Sequence, residues 1–204
     1  MNIENVKSTE ELSELLETAR LHYNPERIDF DGDGLYSRKF WIEQFEKNPE
    51  LLLYVKDSEK NKICAAAGGW ADGGNVTIGM DFAVKGYENK GIHEALLIEL
   101  EKRASKLGFK GVACGIEDGQ EEFYAKLGYT GNMLIQSEKH TVGELLKHLE
   151  ILDKKNYEIK GTNIYDGYIK QLWLNISILD KEIKKAYEEI LGDCWTQIIV
   201  GKKL

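Results

Sequence analysis

The stretch "ELLLYVKDSEKNKICAAAGGWADGGNVTIGMDFAV", residues 50 to 84, limits the fold more than any other part of the chain. It holds three apolar runs separated only by the polar turns "DSEKNK" and "ADGGN". Turns that short join neighbouring antiparallel strands, because a parallel return needs a crossover of a dozen residues or more. The stretch therefore predicts a three-stranded meander. Immediately after it, "AVKGYENKGIHEALL", residues 83 to 97, changes period: beyond a short polar loop, Ile92, Leu96, Leu100, Ala104 and Leu107 recur at helical spacing. A strand, loop and helix in that order present unpaired N–H groups, and the positive end of the helix dipole, to any anion lying across the junction.

The other segments supply helices around this sheet. Ser8 with Glu11 forms a capping box ahead of Leu12, Leu15, Leu16 and Ala19, predicting a helix to about residue 20, and a second is expected over 38 to 47. After the helix of about 91 to 107, "KGVACGI" reads as a short buried strand, "QEEFYAKLG" as a two-turn helix ended by Gly128, and "YTGNMLIQ" as a further strand. The fold class is α/β (α+β): a mixed, mostly antiparallel central sheet flanked by helices, over residues 1–137. Residues 138–204 read as a small α-β-β-α-β unit. Thr141 with Glu144 caps its first helix, Asp166-Gly167 suits a type I′ hairpin turn, Asp180 caps a second helix, and "CWTQIIVG" closes as a strand. So few residues make a marginal core alone, so this unit is expected to pack on the first domain or on a second subunit in a homodimer.

Charge narrows the partners. Among 204 residues, 42% are hydrophobic, enough for a core, and the net charge of −8 excludes the basic stripe of a nucleic-acid binder while favouring small or cationic partners. No apolar run reaches the ~18 to 20 residues that span a bilayer, and "MNIENVKSTEELSELL" lacks the features of a signal peptide, so a cytoplasmic protein without membrane partners is expected. Cys64, Cys114 and Cys194 show no CxxC spacing and read as buried reduced thiols, with no metal site. "DFDGDG", residues 29 to 34, imitates the start of a calcium loop with Asp29, Asp31 and Asp33. Its twelfth position is Phe40 where a bidentate Glu is required, so calcium is rejected. The segment is a solvated turn, or a set of acids drawing in a cationic amine.

Two stretches carry a family resemblance. In the first, Glu88, Gly91 and His93 precede "EALL" and occupy the places of the pattern (Gln or Arg)-x-x-Gly-x-(Gly or Ala); Gly91 matches it and the other two depart from it. The second, "EEFYAKLGYT", has a helical Phe-Tyr followed by Gly and an aromatic that opens a strand. In these features residues 1–137 resemble the GCN5-related N-acetyltransferase (GNAT) superfamily, with a C-terminal extension. The resemblance implies acetyl-CoA as co-substrate, its pyrophosphate over the N–H groups of residues 89 to 93 and its pantetheine arm paired with "DFAV". The binding residues it implies are Phe82, Ala83, Val84, Asn89, Lys90, Gly91, Ile92 and His93, with an amide around Phe82 to Val84 polarising the thioester carbonyl.

The same resemblance makes Tyr124 the general acid that protonates the departing thiolate; the alternative is a ring paired with Phe123. Asp81 and Glu117 are the candidates for the base. Glu88 would repel the pyrophosphate unless Lys85 and Lys90 offset it or it turns to solvent, and His93 would donate to a phosphate or cover the helix surface. His22, His140 and His148 read as surface groups. The implied activity is acetyl transfer to a primary amine on a small molecule or peptide; the alternative is a non-catalytic module that keeps the fold.

Overall fold

The computed structural model describes residues 2–23, 31–32, 37–88, 90–151 and 157–204, apart from the side chain of Ile151. Asn89, Asp29 and Asp33 lie outside the described residues. The chain forms two compact units, residues 1–113 with 203–204, and residues 114–202. Nine strands are described, and their pairing is mixed and mostly antiparallel.

The first unit contains β1 (Ile3–Asn5), α1 (Thr9–Tyr23), α2 (Arg38–Lys47), β2 (Leu52–Asp57), β3 (Lys62–Asp72), β4 (Asn75–Ala83) and α3 (Ile92–Lys106). It also holds the start of β5 (Gly111–Ile116). The strand order is β1-β2-β3-β4-β5, the expected meander with β5 parallel to β4. Three-residue β1 is too short to show alternation; pairing of Ile3 with Val55 and of Asn5 with Leu53 makes it a strand. Leu12, Leu15, Leu16 and Ala19 of α1 and Trp41 of α2 bury against Leu52, Tyr54, Ala66, Met80 and Phe82. Each fully buried leucine contributes about 2 kcal/mol through apolar area removed from water. The capping box forms as a pair of bonds, Glu11 N–H donating to Ser8 Oγ at 3.3 Å and Lys7 N–H to Glu11 Oε2 at 2.7 Å.

Within the first unit, β4 contains one residue more than its partner. Gly68 pairs with Met80 and Gly69 with Ile78, which leaves Gly79 as a bulge. The side chains of Met80 and Phe82 therefore face α1, while Asp81 between them faces the other way.

The second unit holds the end of β5, then α4 (Glu121–Lys126), β6 (Thr130–Ser137), α5 (Val142–Ile151), β7 (Ile159–Tyr165), β8 (Ile169–Leu174), α6 (Lys181–Lys185) and β9 (Trp195–Lys203). A π-helical turn over Ala186–Leu191 continues α6. The hairpin turn has positive φ at both Asp166 and Gly167, 51° and 76°, as a type I′ turn requires. Strand β6 is hydrogen-bonded to both β8 and β9. A boundary at 137/138 thus cuts a strand away from its two partners, and the division by contact falls after Ala113 instead. His140 and His148, read as surface groups, bond to the carbonyls of Gly192 and Ala186, each at 3.0 Å. Cys64 and Cys114 are buried thiols and Cys194 is half-buried; the three are outside any disulfide. No described helix is long and apolar enough to cross a membrane.

Candidate active site

Strand β4 pairs with β5 only through Val76 with Val112 and Thr77 with Ala113. Farther along, the direction of each peptide follows from one bond: Val84 N–H donates to Cys64 O across β3 at 2.9 Å. Backbone groups alternate in direction, so Met80 and Phe82 also point their N–H and C=O groups at β3. Asp81 and Ala83 point theirs to the opposite edge. Of the residues expected to bind through "DFAV", Ala83 thus offers outward backbone groups, whereas those of Phe82 and the N–H of Val84 are used within the sheet and the Val84 carbonyl by the following loop.

The loop that follows is pinned by Tyr87. Its N–H donates to Val84 O at 2.9 Å and its hydroxyl donates to the Asp57 carboxylate. Asp57 also accepts the N–H groups of Glu59 and Lys60, at 2.8 and 2.9 Å. These three donors, the Tyr87 phenol above all, hold the Asp57 carboxyl down to about 2, and the bond to that carboxylate pushes the Tyr87 phenol up. Lys90 Nζ lies 4.7 Å from the centroid of the Tyr87 ring. Glu88 curls back on the loop, its Oε2 accepting Gly86 N–H at 2.5 Å. Its own N–H and that of Gly86 lower its pKa. The acid that looked misplaced beside an anion site is thus engaged by backbone donors of its own loop.

Gly91 then turns the chain into α3 with φ of 70°, a left-handed conformation that favours glycine, and gives the helix no side-chain cap. The first N–H groups of α3 are those of Ile92 and His93. The His93 ring neither covers the helix surface nor reaches outward from it: Nε2 sits 3.2 Å from Asp81 Oδ2, linking the first turn of α3 to β4. On the other face of β4, the last residue of α1 reaches the same aspartate. The Tyr23 hydroxyl accepts Asp81 N–H and donates to Asp81 C=O, both at 2.9 Å. The Tyr23 ring lies edge-on to Phe82 at 5.7 Å, and His22 stacks on Phe82 at 4.9 Å. Neither Tyr23 nor this role of His22 was anticipated, because the helix was expected to stop near residue 20. The available signal was spacing: Tyr23 is four residues beyond Ala19 on the buried stripe.

In the second unit, Tyr124 on α4 is 1% exposed, with Phe123 and Tyr129 rings edge-on at 5.1 and 5.3 Å. Glu117 is exposed just past β5, its N–H bonded to Gln120 Oε1 at 3.1 Å.

The sequence profile described as the acetyltransferase (GNAT) family matches residues 12–129, more than half of the chain. This protein belongs to the GNAT family. It is by membership an N-acetyltransferase. Solved GNAT structures agree with the fold. An acetyltransferase of the family from Staphylococcus aureus Mu50 aligns with a TM-score of 0.50 at 20% identity, over 64% of this chain and 84% of its own. The ribosomal-protein-S18-alanine N-acetyltransferase from Escherichia coli aligns at 0.50 and 14% identity, over 88% and 96%. A NatB acetyltransferase complex bound to a bisubstrate inhibitor aligns at 0.52 and 15% identity, over 85% and 89%. No curated protein matches the sequence.

Features of this chain fit an extended acyl-CoA. The described pairing of β4 with β5 ends at Thr77, Gly91 leaves α3 without a side-chain cap, and a Cβ built on Gly91 would meet nothing within 4 Å. Lys85 and Lys90 are exposed on the loop and can balance phosphate charge. Among the described residues there is no cluster of three or more His, Cys, Asp or Glu able to hold a metal.

Proposed function

We propose that this GNAT-family protein moves the acetyl group of acetyl-CoA to a primary amine on a small molecule or peptide by direct attack. The observation that supports the reading is the edge of β4 turned away from β3: Asp81, whose backbone groups hold the Tyr23 hydroxyl, and Ala83 lie where a pantetheine arm can pair as an added strand, ahead of the uncapped first turn of α3. Backbone N–H groups of Ala83, Gly91, Ile92 and His93, with Lys90, supply the binding, and an amide of β4 polarises the thioester carbonyl.

In the transfer, the amine nitrogen bonds to the carbonyl carbon while a base takes one of its protons. The tetrahedral intermediate then expels the thiolate, to which the Tyr124 hydroxyl gives a proton. Glu117, exposed just past β5, is the residue proposed to take the amine proton, directly or through water. The Asp81 carboxylate is on the α3 face of β4 and engaged by His93, so its role is to orient the strand edge rather than to act as the base. The net charge of −8 favours a cationic acceptor.

The test is calorimetric titration with acetyl-CoA, followed by measurement of released CoA thiol with a panel of polyamines, amino sugars and peptides bearing free N-termini. Binding together with thiol release that depends on one acceptor class is the expected result. Binding without acceptor-dependent release would favour the non-catalytic reading, and no binding would remove the co-substrate site.

A further inference from the structure

We infer that Tyr23 is a placeholder for the co-substrate, its hydroxyl occupying the backbone groups of β4 that the thioester end of an acyl-CoA must take. The inference rests on the proposed reading of β4 as the pantetheine edge. A phenolic hydroxyl has one donor and two acceptor lone pairs. Tyr23 spends both kinds on a single residue, accepting from Asp81 N–H and donating to Asp81 C=O, each at 2.9 Å. That is the pattern a neighbouring strand, or the amide-rich arm of an extended ligand, makes with an outward-facing residue. A carbonyl oxygen polarised by Asp81 N–H cannot share that N–H with Tyr23 at full strength, so the phenol has to leave when the thioester arrives.

The surroundings suit an exchange of this kind. Tyr23 is the last residue of α1, where helices fray most readily, and its half-buried ring packs at the margin of the core, edge-on to Phe82 at 5.7 Å. Asp81 itself is fixed from the opposite face by His93 at 3.2 Å, so the strand edge keeps its aim while the phenol moves. In the absence of ligand, the hydroxyl spares Asp81 an unsatisfied peptide on a partly buried edge. The residue sets affinity by competition: what it contributes to the empty state is subtracted from co-substrate binding.

The experiment compares the full-length protein with its Tyr23→Phe variant, which keeps the ring and its contact with Phe82. Calorimetry with acetyl-CoA should show the variant binding about 3- to 10-fold more tightly, the scale of one or two ordinary hydrogen bonds exchanged with water. Amide exchange at Asp81, read by NMR, supplies an independent measure. Without ligand the Asp81 amide should be protected in the unmodified protein and exchange faster in the variant; with saturating acetyl-CoA it should be protected in both. Equal or weaker binding by the variant, with the unmodified protein binding normally, would overturn the placeholder role and leave the acetyl-CoA site intact. Absence of binding in both proteins would overturn the site and the placeholder together. Should the variant not fold, the unmodified protein still decides the matter: an Asp81 amide that exchanges freely without ligand excludes the Tyr23 bond.

Discussion

Gly79→Ala isolates one packing decision on which the geometry of β4 depends. Gly79 is the bulged residue opposite Gly68 and Gly69, and it is absent from the residues with positive φ, so backbone strain is not what keeps it glycine. Space is the reason. A Cβ at this position would lie 2.1 Å from Cζ3 and 2.8 Å from Cη2 of Trp70. Ordinary carbon contacts begin near ~3.5 Å, so the indole must withdraw by about 1.4 Å. It has little room to do so, with Phe40 and Trp41 rings edge-on at 5.1 and 5.9 Å. Overpacking of this kind costs about 1–3 kcal/mol. The gain of about 0.5–1 kcal/mol from replacing glycine in a strand offsets part of it. The net loss, up to about 2.5 kcal/mol, corresponds to a fall in Tm of up to about 10 °C for a chain of this size. Thermal and urea unfolding followed by circular dichroism measure it, and a double-mutant cycle with Trp70→Leu assigns it. Once the indole is gone, Gly79→Ala should become neutral or stabilising. If alanine is equally harmful with leucine at position 70, or harmless in the native background, the ring is not the cause and the reasoning fails.

Tyr124→Phe should lower turnover by roughly 100-fold while the thermal transition barely moves, because the ring contacts with Phe123 and Tyr129 survive; full activity in the thiol-release assay would exclude the acid role. The Asp57 carboxyl, held at about 2 in the folded protein against an ordinary value of ~3.9, supports the fold above pH ~4 and loses that contribution as pH falls from ~4 towards 2. NMR titration should find its midpoint low in the native protein and shifted upward in Tyr87→Phe, and an unmoved midpoint would show that the phenol is not the main donor.

The parts of this protein visible in its sequence are those whose partners lie close along the chain. The meander of β2, β3 and β4 could be read from two polar turns, the start of α5 from Thr141 and Glu144, and the later hairpin from Asp166-Gly167. In each, the deciding hydrogen bonds or dihedrals span a few residues, so residue type and period carry the information. Gly91 was legible for the same reason, since a residue with φ of 70° ahead of a helix selects for glycine.

What the tertiary structure alone decided is how the side chains of that local frame are used. Tyr23 meets Asp81 across 58 residues, Tyr87 meets Asp57 across 30, and His93 meets Asp81 across 12 from a different element. None of these pairs has a period or a spacing of its own. The two Asp81 pairs exist because α1 and α3 bring Tyr23 and His93 to β4, and the Tyr87 pair because the loop after β4 returns to the end of β2. Sequence placed an acid at Glu88 and an imidazole at His93 where neither suited a phosphate. The acid turned to Gly86 N–H within its own loop, and packing gave the imidazole to Asp81, since a half-buried polar group takes the nearest partner the fold brings to it.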